Sequence, residues 1–160
     1  MFFRPPAPHI LPVPHILQRR TGECRAVCAA MACEYLHIAY EYERLVRVLE
    51  IQREIGTPFS RIQKLSQLGI GVTFRQGGEM AALHRLLLAG WPVLVAVQTS
   101  ELAHWQGESS QHVVTLTGVT ENNLIVQDPA FVEHPLPVSY GDFDLAWLEM
   151  DEAFAVIAPA

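Results

Sequence analysis

Three residue types that cooperate in thiol chemistry occur at widely separated points of this chain. Cys24 lies near the start of an apolar stretch of small residues, His112 opens the apolar run HVVTLTGV, and Asp128 follows the run LIVQ. Cysteine reacts as the thiolate, histidine can stabilise that ion and act as a base, and a carboxylate can orient the histidine. The chemistry requires a fold that brings all three together.

Cys24 is the best placed of the three cysteines for reactivity. Thr21 is expected to cap a helix over residues 22–37, which places Cys24 in the first turn, where the helix dipole favours a thiolate. Cys28 and Cys33 lie deeper in the same helix and lack this advantage. The alternative for Cys24 is a packing role, because free cysteines are commonly small core residues.

His112 is distinguished among the seven histidines because it alone opens a strongly apolar strand. Asp128 ends the next strand, after the turn TENN, so the two residues are expected to be cross-strand neighbours. In that position the carboxylate would fix the tautomer of the imidazole. The alternatives are a strand-edge histidine and an Asp-Pro pair that only starts a turn.

Gln18 precedes the candidate nucleophile by 24 − 18 = 6 residues. A side-chain amide beside the nucleophile can donate a hydrogen bond to a developing oxyanion, together with the backbone N–H of the cysteine. A glutamine before a helix has no meaning by itself. Its interval becomes informative only beside Cys24, His112 and Asp128.

The order of these residues resembles the bacteriocin-processing peptidases, papain-like cysteine peptidase family 39. The motifs are Q-x5-C at the head of an apolar helix, GWPVLVAV, then HVVTLTGV, then DPA. The resemblance covers about residues 17–157. It implies that Cys24 is the nucleophile, His112 the base, Asp128 the orienting residue and Gln18 the oxyanion donor. Members of the family cleave leader peptides after a double glycine, so a peptide or protein substrate is expected.

The sequence departs from the family at the nucleophile itself. The usual Asp-Cys-Gly is replaced by Glu23-Cys24-Arg25, so a cation stands beside the reactive thiol and is expected to narrow or charge the cleft. No ATPase or membrane segment follows in this sequence. The expectation is therefore a standalone relative, located in the cytoplasm.

The order of predicted elements favours an α+β fold, since helices come first and most strands later. Apolar periodicity predicts further helices in YERLVRVLEIQRE, TPFSRIQKLSQLG (capped by Thr57) and GEMAALHRLLLAG. Strands are predicted in IGVTFRQ, PVLVAVQT, HVVTLTGV, LIVQD and EAFAVIA, and a short helix or turn in YGDFDLAWLEMD. The papain-like fold that the resemblance implies packs N-terminal helices on a C-terminal antiparallel sheet, with the nucleophile at the start of the central helix.

Residues 1–17 are expected to form an N-terminal arm separate from the domain, because PHILPVPHIL carries a proline every few residues. Such spacing favours an extended arm over a helix. The arm is expected to lie on the domain and deliver Gln18. Residues 18–160 are expected to form a single peptidase domain.

Composition excludes several other classes of protein. The chain has 160 residues, half of them hydrophobic, and a formal net charge of −6. No basic stripe supports a nucleic-acid partner, and the longest apolar runs are too short to span a bilayer. The cysteine spacings match no zinc motif and no nucleotide-binding glycine motif is present, so neither a metal nor a cofactor is expected. Three cysteines are an odd number, which favours reduced thiols.

Two alternatives keep the same residues. A papain-like acyltransferase of the transglutaminase kind would pass the acyl group to an amine instead of water. A non-catalytic domain of the same fold would only bind peptides.

Alkylation separates a catalytic cysteine from a packing cysteine. Iodoacetamide at mildly acidic pH is expected to label Cys24 selectively, because only a thiolate of low pKa reacts there. Mass spectrometry of the labelled peptides gives the extent of alkylation at each of the three cysteines. Equal or negligible labelling of all three would support the non-catalytic alternative.

Overall fold

A computed structural model describes residues 8–52 and 58–160 of the chain. These residues form four α-helices and seven strands. The helices are α1 (Cys24–Leu36), α2 (Tyr42–Val48), α3 (Met80–Leu88) and α4 (Tyr140–Leu148). The strands are β1 (His9–Ile10), β2 (Ile70–Arg75), β3 (Val93–Gln98), β4 (Gln111–Val119), β5 (Asn123–Gln127), β6 (Leu136–Ser139) and β7 (Phe154–Pro159).

The strands form one antiparallel sheet in the order β2-β7-β3-β4-β5-β6, and β1 pairs with β4. Every residue of β4 after Gln111 is buried. Because successive side chains of a strand point to opposite faces, helices must cover both faces of the sheet at this strand. The contacts agree, since α1 and α3 both pack on β4 while α4 packs on β3. The α+β fold with helices on an antiparallel sheet is confirmed.

Helix α1 is the central element of the core. Its residues from Arg25 to Cys33 are all buried, as expected for a helix that is apolar nearly all round. The run of alanines keeps its surface smooth, so α1 packs on β4, β7 and α2. The helix begins two residues later than predicted: Glu23, not Thr21, is its N-cap, and no side chain caps it. Gly22, at φ 88°, separates Thr21 from the first turn.

Two other predictions about the elements need correction. The segment Phe59–Leu68 is a 3₁₀ helix instead of an α-helix, and it ends at Gly69 as predicted. The predicted cap Thr57 lies outside the described residues. Strand β6 was not predicted, because LPVS is short and contains a proline, and it pairs only at the sheet edge, with β5. No helix among the described residues is both long enough and apolar enough to cross a membrane.

The N-terminal segment docks on the sheet through its backbone. His9 and Ile10 pair with Val119 and Gly118 of β4, and the Leu11 N–H donates to the Thr117 carbonyl at 2.7 Å. Leu11 and Val13 are buried in the core. Beyond this docked segment the chain reaches Gln18, shortly before α1 begins at Cys24.

The contact between this segment and β4 depends on a residue without a side chain. A Cβ atom on Gly118 would lie 2.7 Å from the His9 carbonyl oxygen and 2.9 Å from the Ile10 Cα. Gly118→Ala is therefore expected to lower the free energy of unfolding by about 1–3 kcal/mol, as overpacking does. Urea denaturation measures this loss. Gly141→Ala in α4, where a Cβ would meet no atom within 4 Å, is the matched control and is expected to be neutral or slightly stabilising. Equal stability of the two variants would contradict the role given to Gly118.

Candidate active site

The structure brings Cys24, His112 and Asp128 into one site. Cys24 is the first residue of α1, His112 is the second residue of β4, and Asp128 follows the last residue of β5. The His112 Nε2–H donates to Asp128 Oδ1 at 2.7 Å. The Cys24 thiol lines the same cleft as the His112 imidazole, and its interaction with that imidazole helps to raise the pKa of His112. The imidazole is therefore held between a thiol and a carboxylate.

The expected cross-strand relation of His112 and Asp128 is wrong in its register. Gln127 pairs with Thr115, and one further step places Asp128 opposite Val114 instead of His112. The difference arises at the turn, where Val119 pairs with Leu124, and the β-bulge between Leu116 and Gly118 then moves the pairing one step back toward His112. The two side chains still meet, because residues two apart lie on the same face of a strand and form diagonal neighbours.

The electrostatics of the site favour a charged pair between sulfur and imidazole. Burial by itself raises the pKa of the Cys24 thiol, but the hydrogen bond and charge of His112, the backbone of Val113 and the charge of Arg25 together bring this pKa below its usual value. Burial lowers the pKa of His112, yet the bonds to Asp128 and Cys24 outweigh it and raise the pKa to about 9. Both shifts favour the thiolate–imidazolium form of the pair over the neutral form.

The carboxylate of Asp128 is fully buried and remains ionised. Burial favours its neutral form, but hydrogen bonds from His104 and His112 and from the Ala130 N–H hold the pKa of Asp128 far below its usual range. A buried carboxylate with several donors is stabilised as the anion. It can thus supply the charge that keeps His112 protonated.

The environments of the other two cysteines favour the neutral thiol. Burial raises the pKa of Cys28 well above its usual value and that of Cys33 to about 11. The Cys28 thiol donates to the Val113 carbonyl at 3.5 Å. All three cysteines are free of disulfides. Only Cys24 combines partial exposure with a lowered pKa.

A cleft of about 610 Å³ opens at Cys24 and His112. Its lining also includes Gln18, Arg25, Trp105 and Glu108. The Gln18 N–H donates to the Pro129 carbonyl at 2.7 Å, so the glutamine is anchored to the loop that follows Asp128. All four predicted site residues therefore gather at this point, with Asp128 buried behind the cleft. Arg25 is buried beside the thiol and adds positive charge there, as its position in the sequence suggested.

Sequence reasoning missed two partners of Asp128, both in the connection between β3 and β4. The His104 Nε2–H and the Trp105 Nε1–H donate to Asp128 Oδ2 at 2.8 and 2.9 Å. The Trp105 ring also packs edge-on against His112, with centroids 5.0 Å apart. The only available signal was a His-Trp pair in a polar loop shortly before His112, which does not reveal a buried acceptor. Within the described residues, no three His, Cys, Asp or Glu side chains form a group suited to a metal ion.

A family model matches most of the chain. The model described as the Peptidase_C39-like family matches residues 10–153. The chain belongs to this family. The resemblance found in the sequence is thereby confirmed at the level of the family.

Several solved structures share the fold of this C39-like chain. A protein from Bacillus anthracis described as a C39-like peptidase superposes with a TM-score of 0.78 at 17% identity, covering 97% of this chain and 99% of that one. The peptidase domain of Streptococcus ComA, a bi-functional ABC transporter involved in a quorum sensing pathway, has a TM-score of 0.68 at 18% identity, covering 91% and 97%. A double glycine motif protease from an AMS/PCAT transporter, solved with the leader peptide, superposes with a TM-score of 0.70 at 17% identity. The match covers 99% of this chain and 100% of that one. No curated protein matches the chain.

The charge of Asp128 should be measurable at His112. In Asp128→Asn, the pKa of His112 is expected to fall from about 9 toward the usual range near 6.5, because the stabilising anion is lost. NMR titration of the labelled imidazoles measures it. Asp144→Asn removes the same charge from an exposed position in α4 and should leave the titration of His112 unchanged. A pKa of His112 that stays near 9 in Asp128→Asn would show that the carboxylate does not control the imidazole.

Proposed function

We propose that this C39-like protein is a cysteine peptidase that hydrolyses a peptide bond with Cys24 as its nucleophile. The observation that carries the proposal is the position of His112, whose Nε2–H donates to the buried carboxylate of Asp128 and whose imidazole lines the same cleft as the thiol of Cys24. An imidazole held in this way can stabilise a thiolate and later release its proton. The lowered pKa of Cys24 supports the same role.

In the first step, the Cys24 sulfur attacks the carbonyl carbon of the substrate, and the C=O π electrons move to oxygen. Two donors are available for the resulting oxyanion. The N–H of Cys24 lies at the first position of α1, where helices leave N–H groups without intrahelical partners. The amide of Gln18 lines the same cleft, and its backbone is fixed by Pro129. Donors fixed in advance cost no reorganisation during the reaction.

In the second step, the oxyanion collapses, the C–N bond breaks and the imidazolium of His112 gives its proton to the leaving amine. The acyl group remains on Cys24 as a thioester. Neutral His112 then takes a proton from water, whose oxygen attacks the thioester. The products are a carboxylic acid, a free amine and the regenerated thiolate–imidazolium pair. Asp128 keeps its charge throughout and orients the imidazole.

The substrate that we propose is a peptide or an exposed protein segment. The cleft is open and has polar residues at its rim, among them Glu108, Ser110 and Gln111. The solved complex of a related protease with its leader peptide supports this substrate class. A cytoplasmic location and residues 18–160 as the catalytic unit belong to the same proposal.

Two substitutions test this assignment. Cys24→Ala is expected to abolish cleavage and Gln18→Ala to slow it about a hundredfold, because an oxyanion donor is lost, while both variants stay folded. Cleavage of a proteome-derived peptide library, read by mass spectrometry, measures activity on many candidate substrates at once, and circular dichroism checks the fold.

Cys33→Ala, which removes a thiol from the same helix away from the cleft, is the control and should keep the wild-type rate. Full activity of Cys24→Ala would refute the assignment. Adding a primary amine to the same assay separates hydrolysis from acyl transfer, since a transferase would give amide products instead of acids.

A further inference from the structure

Asp128 accepts more hydrogen bonds than a catalytic triad requires. Its Oδ1 accepts from the His112 Nε2–H at 2.7 Å and from the Ala130 N–H at 3.0 Å. Its Oδ2 accepts from the His104 Nε2–H at 2.8 Å and from the Trp105 Nε1–H at 2.9 Å. One oxygen therefore serves the catalytic imidazole, and the other is reserved for two side chains of the β3–β4 connection.

His104 acts from outside the cleft. Its side chain is 16% exposed, it does not line the cleft, and its ring packs edge-on against Phe131 with centroids 4.8 Å apart. Its Nε2 is occupied by Asp128. The residue is therefore not placed to touch a substrate or to replace His112 as the base. Any influence on the reaction has to pass through the carboxylate.

We propose that His104 is a positioning residue that fixes the carboxylate plane of Asp128, and with it the orientation of His112. This inference rests on the proposed function and deepens it. A carboxylate turns readily about its last side-chain bond, since such torsions have broad minima. Donors on Oδ2 prevent this rotation and keep Oδ1 directed at the imidazole. Hydrogen bonds to an ionised acceptor are stronger than neutral ones, which suits them to this task.

The loop that carries His104 is itself braced. The Thr99 hydroxyl donates to the Glu108 carbonyl at 2.7 Å, closing the connection at its base. The Gln98 Oε1 accepts from the Ser110 N–H at 3.0 Å and from the Ser109 hydroxyl at 3.1 Å. Trp105, the neighbour of His104, lines the cleft and packs edge-on against the His112 imidazole. The loop is thus held at both ends while its middle supplies the two donors to Oδ2.

A matched pair of substitutions isolates the hydrogen bond. Glutamine and methionine have similar length and volume, and the amide nitrogen of glutamine can take the place of Nε2 in histidine. His104→Gln therefore keeps a donor, whereas His104→Met removes it. The other titratable groups that interact electrostatically with Asp128 are unchanged in these variants; they are His112 on β4, His15 on the N-terminal segment and Cys28 on α1.

The readout is the rate at which iodoacetamide alkylates Cys24, measured at about pH 6 and about pH 9.5. At the lower pH the thiolate exists only if the imidazolium of His112 is properly held. His104→Met should therefore react at least about fivefold more slowly than wild type at the lower pH, and within about twofold of it at the higher pH. His104→Gln should stay within about twofold of wild type at both. A purely structural defect would change access to the sulfur and alter both rates together.

An unchanged rate at the lower pH in His104→Met, or equal losses in the methionine and glutamine variants, would overturn the positioning role. If His104→Met fails to fold, His104→Asn replaces it, because its amide is polar but too short to reach Oδ2. A wild-type Cys24 that is unreactive at about pH 6 would instead refute the proposed function itself, so the two failures are distinguishable.

Discussion

The buried negative charge of Asp128 is the constraint on which the site depends. A carboxylate without exposure to water is costly unless donors surround it, and here two imidazoles, an indole and a backbone N–H do so. Once the charge is held, it favours protonated His112, and protonated His112 favours ionised Cys24. Each of these effects is transmitted by a direct contact, so the acidity of the thiol reports the integrity of the whole group.

The scaffold explains why these contacts can be maintained. Cys24 belongs to a helix whose residues from Arg25 to Cys33 are buried, and His112 to a strand that is buried on both faces. Neither element can shift without opening the core. Gln18 is joined to the same framework differently, since its segment lies on β4 through backbone pairing and is tied to Pro129. The residue proposed as oxyanion donor and the loop that follows Asp128 are thereby coupled by one hydrogen bond.

Much of this arrangement could be predicted from the sequence, because it follows from local patterns of residue types. Apolar periodicity located most helices and strands, and the order of Gln18, Cys24, His112 and Asp128 indicated the family. The start of α1 could not be predicted well, because Thr21 is a good cap by type and only the left-handed backbone at Gly22 excludes it. The 3₁₀ conformation of Phe59–Leu68 and the pairing of β6 depend on tertiary contacts. His104 was missed for the same reason, since a histidine in a polar loop gives no sign of the buried acceptor that it reaches.

The bulge in β4 determines whether His112 and Asp128 lie on the same face of the sheet. Uninterrupted pairing from the turn, beginning with Val119 opposite Leu124, would bring Thr115 opposite Asp128 and point His112 away from the carboxylate. The extra residue, Thr117, absorbs one step, so that imidazole and carboxylate emerge on a common face. The number of residues in β4 between the turn and His112 therefore decides whether His112 and Asp128 lie on the same face of the sheet. The position of a single unpaired residue is as much a requirement for the proposed chemistry as the identity of the side chains assigned to it.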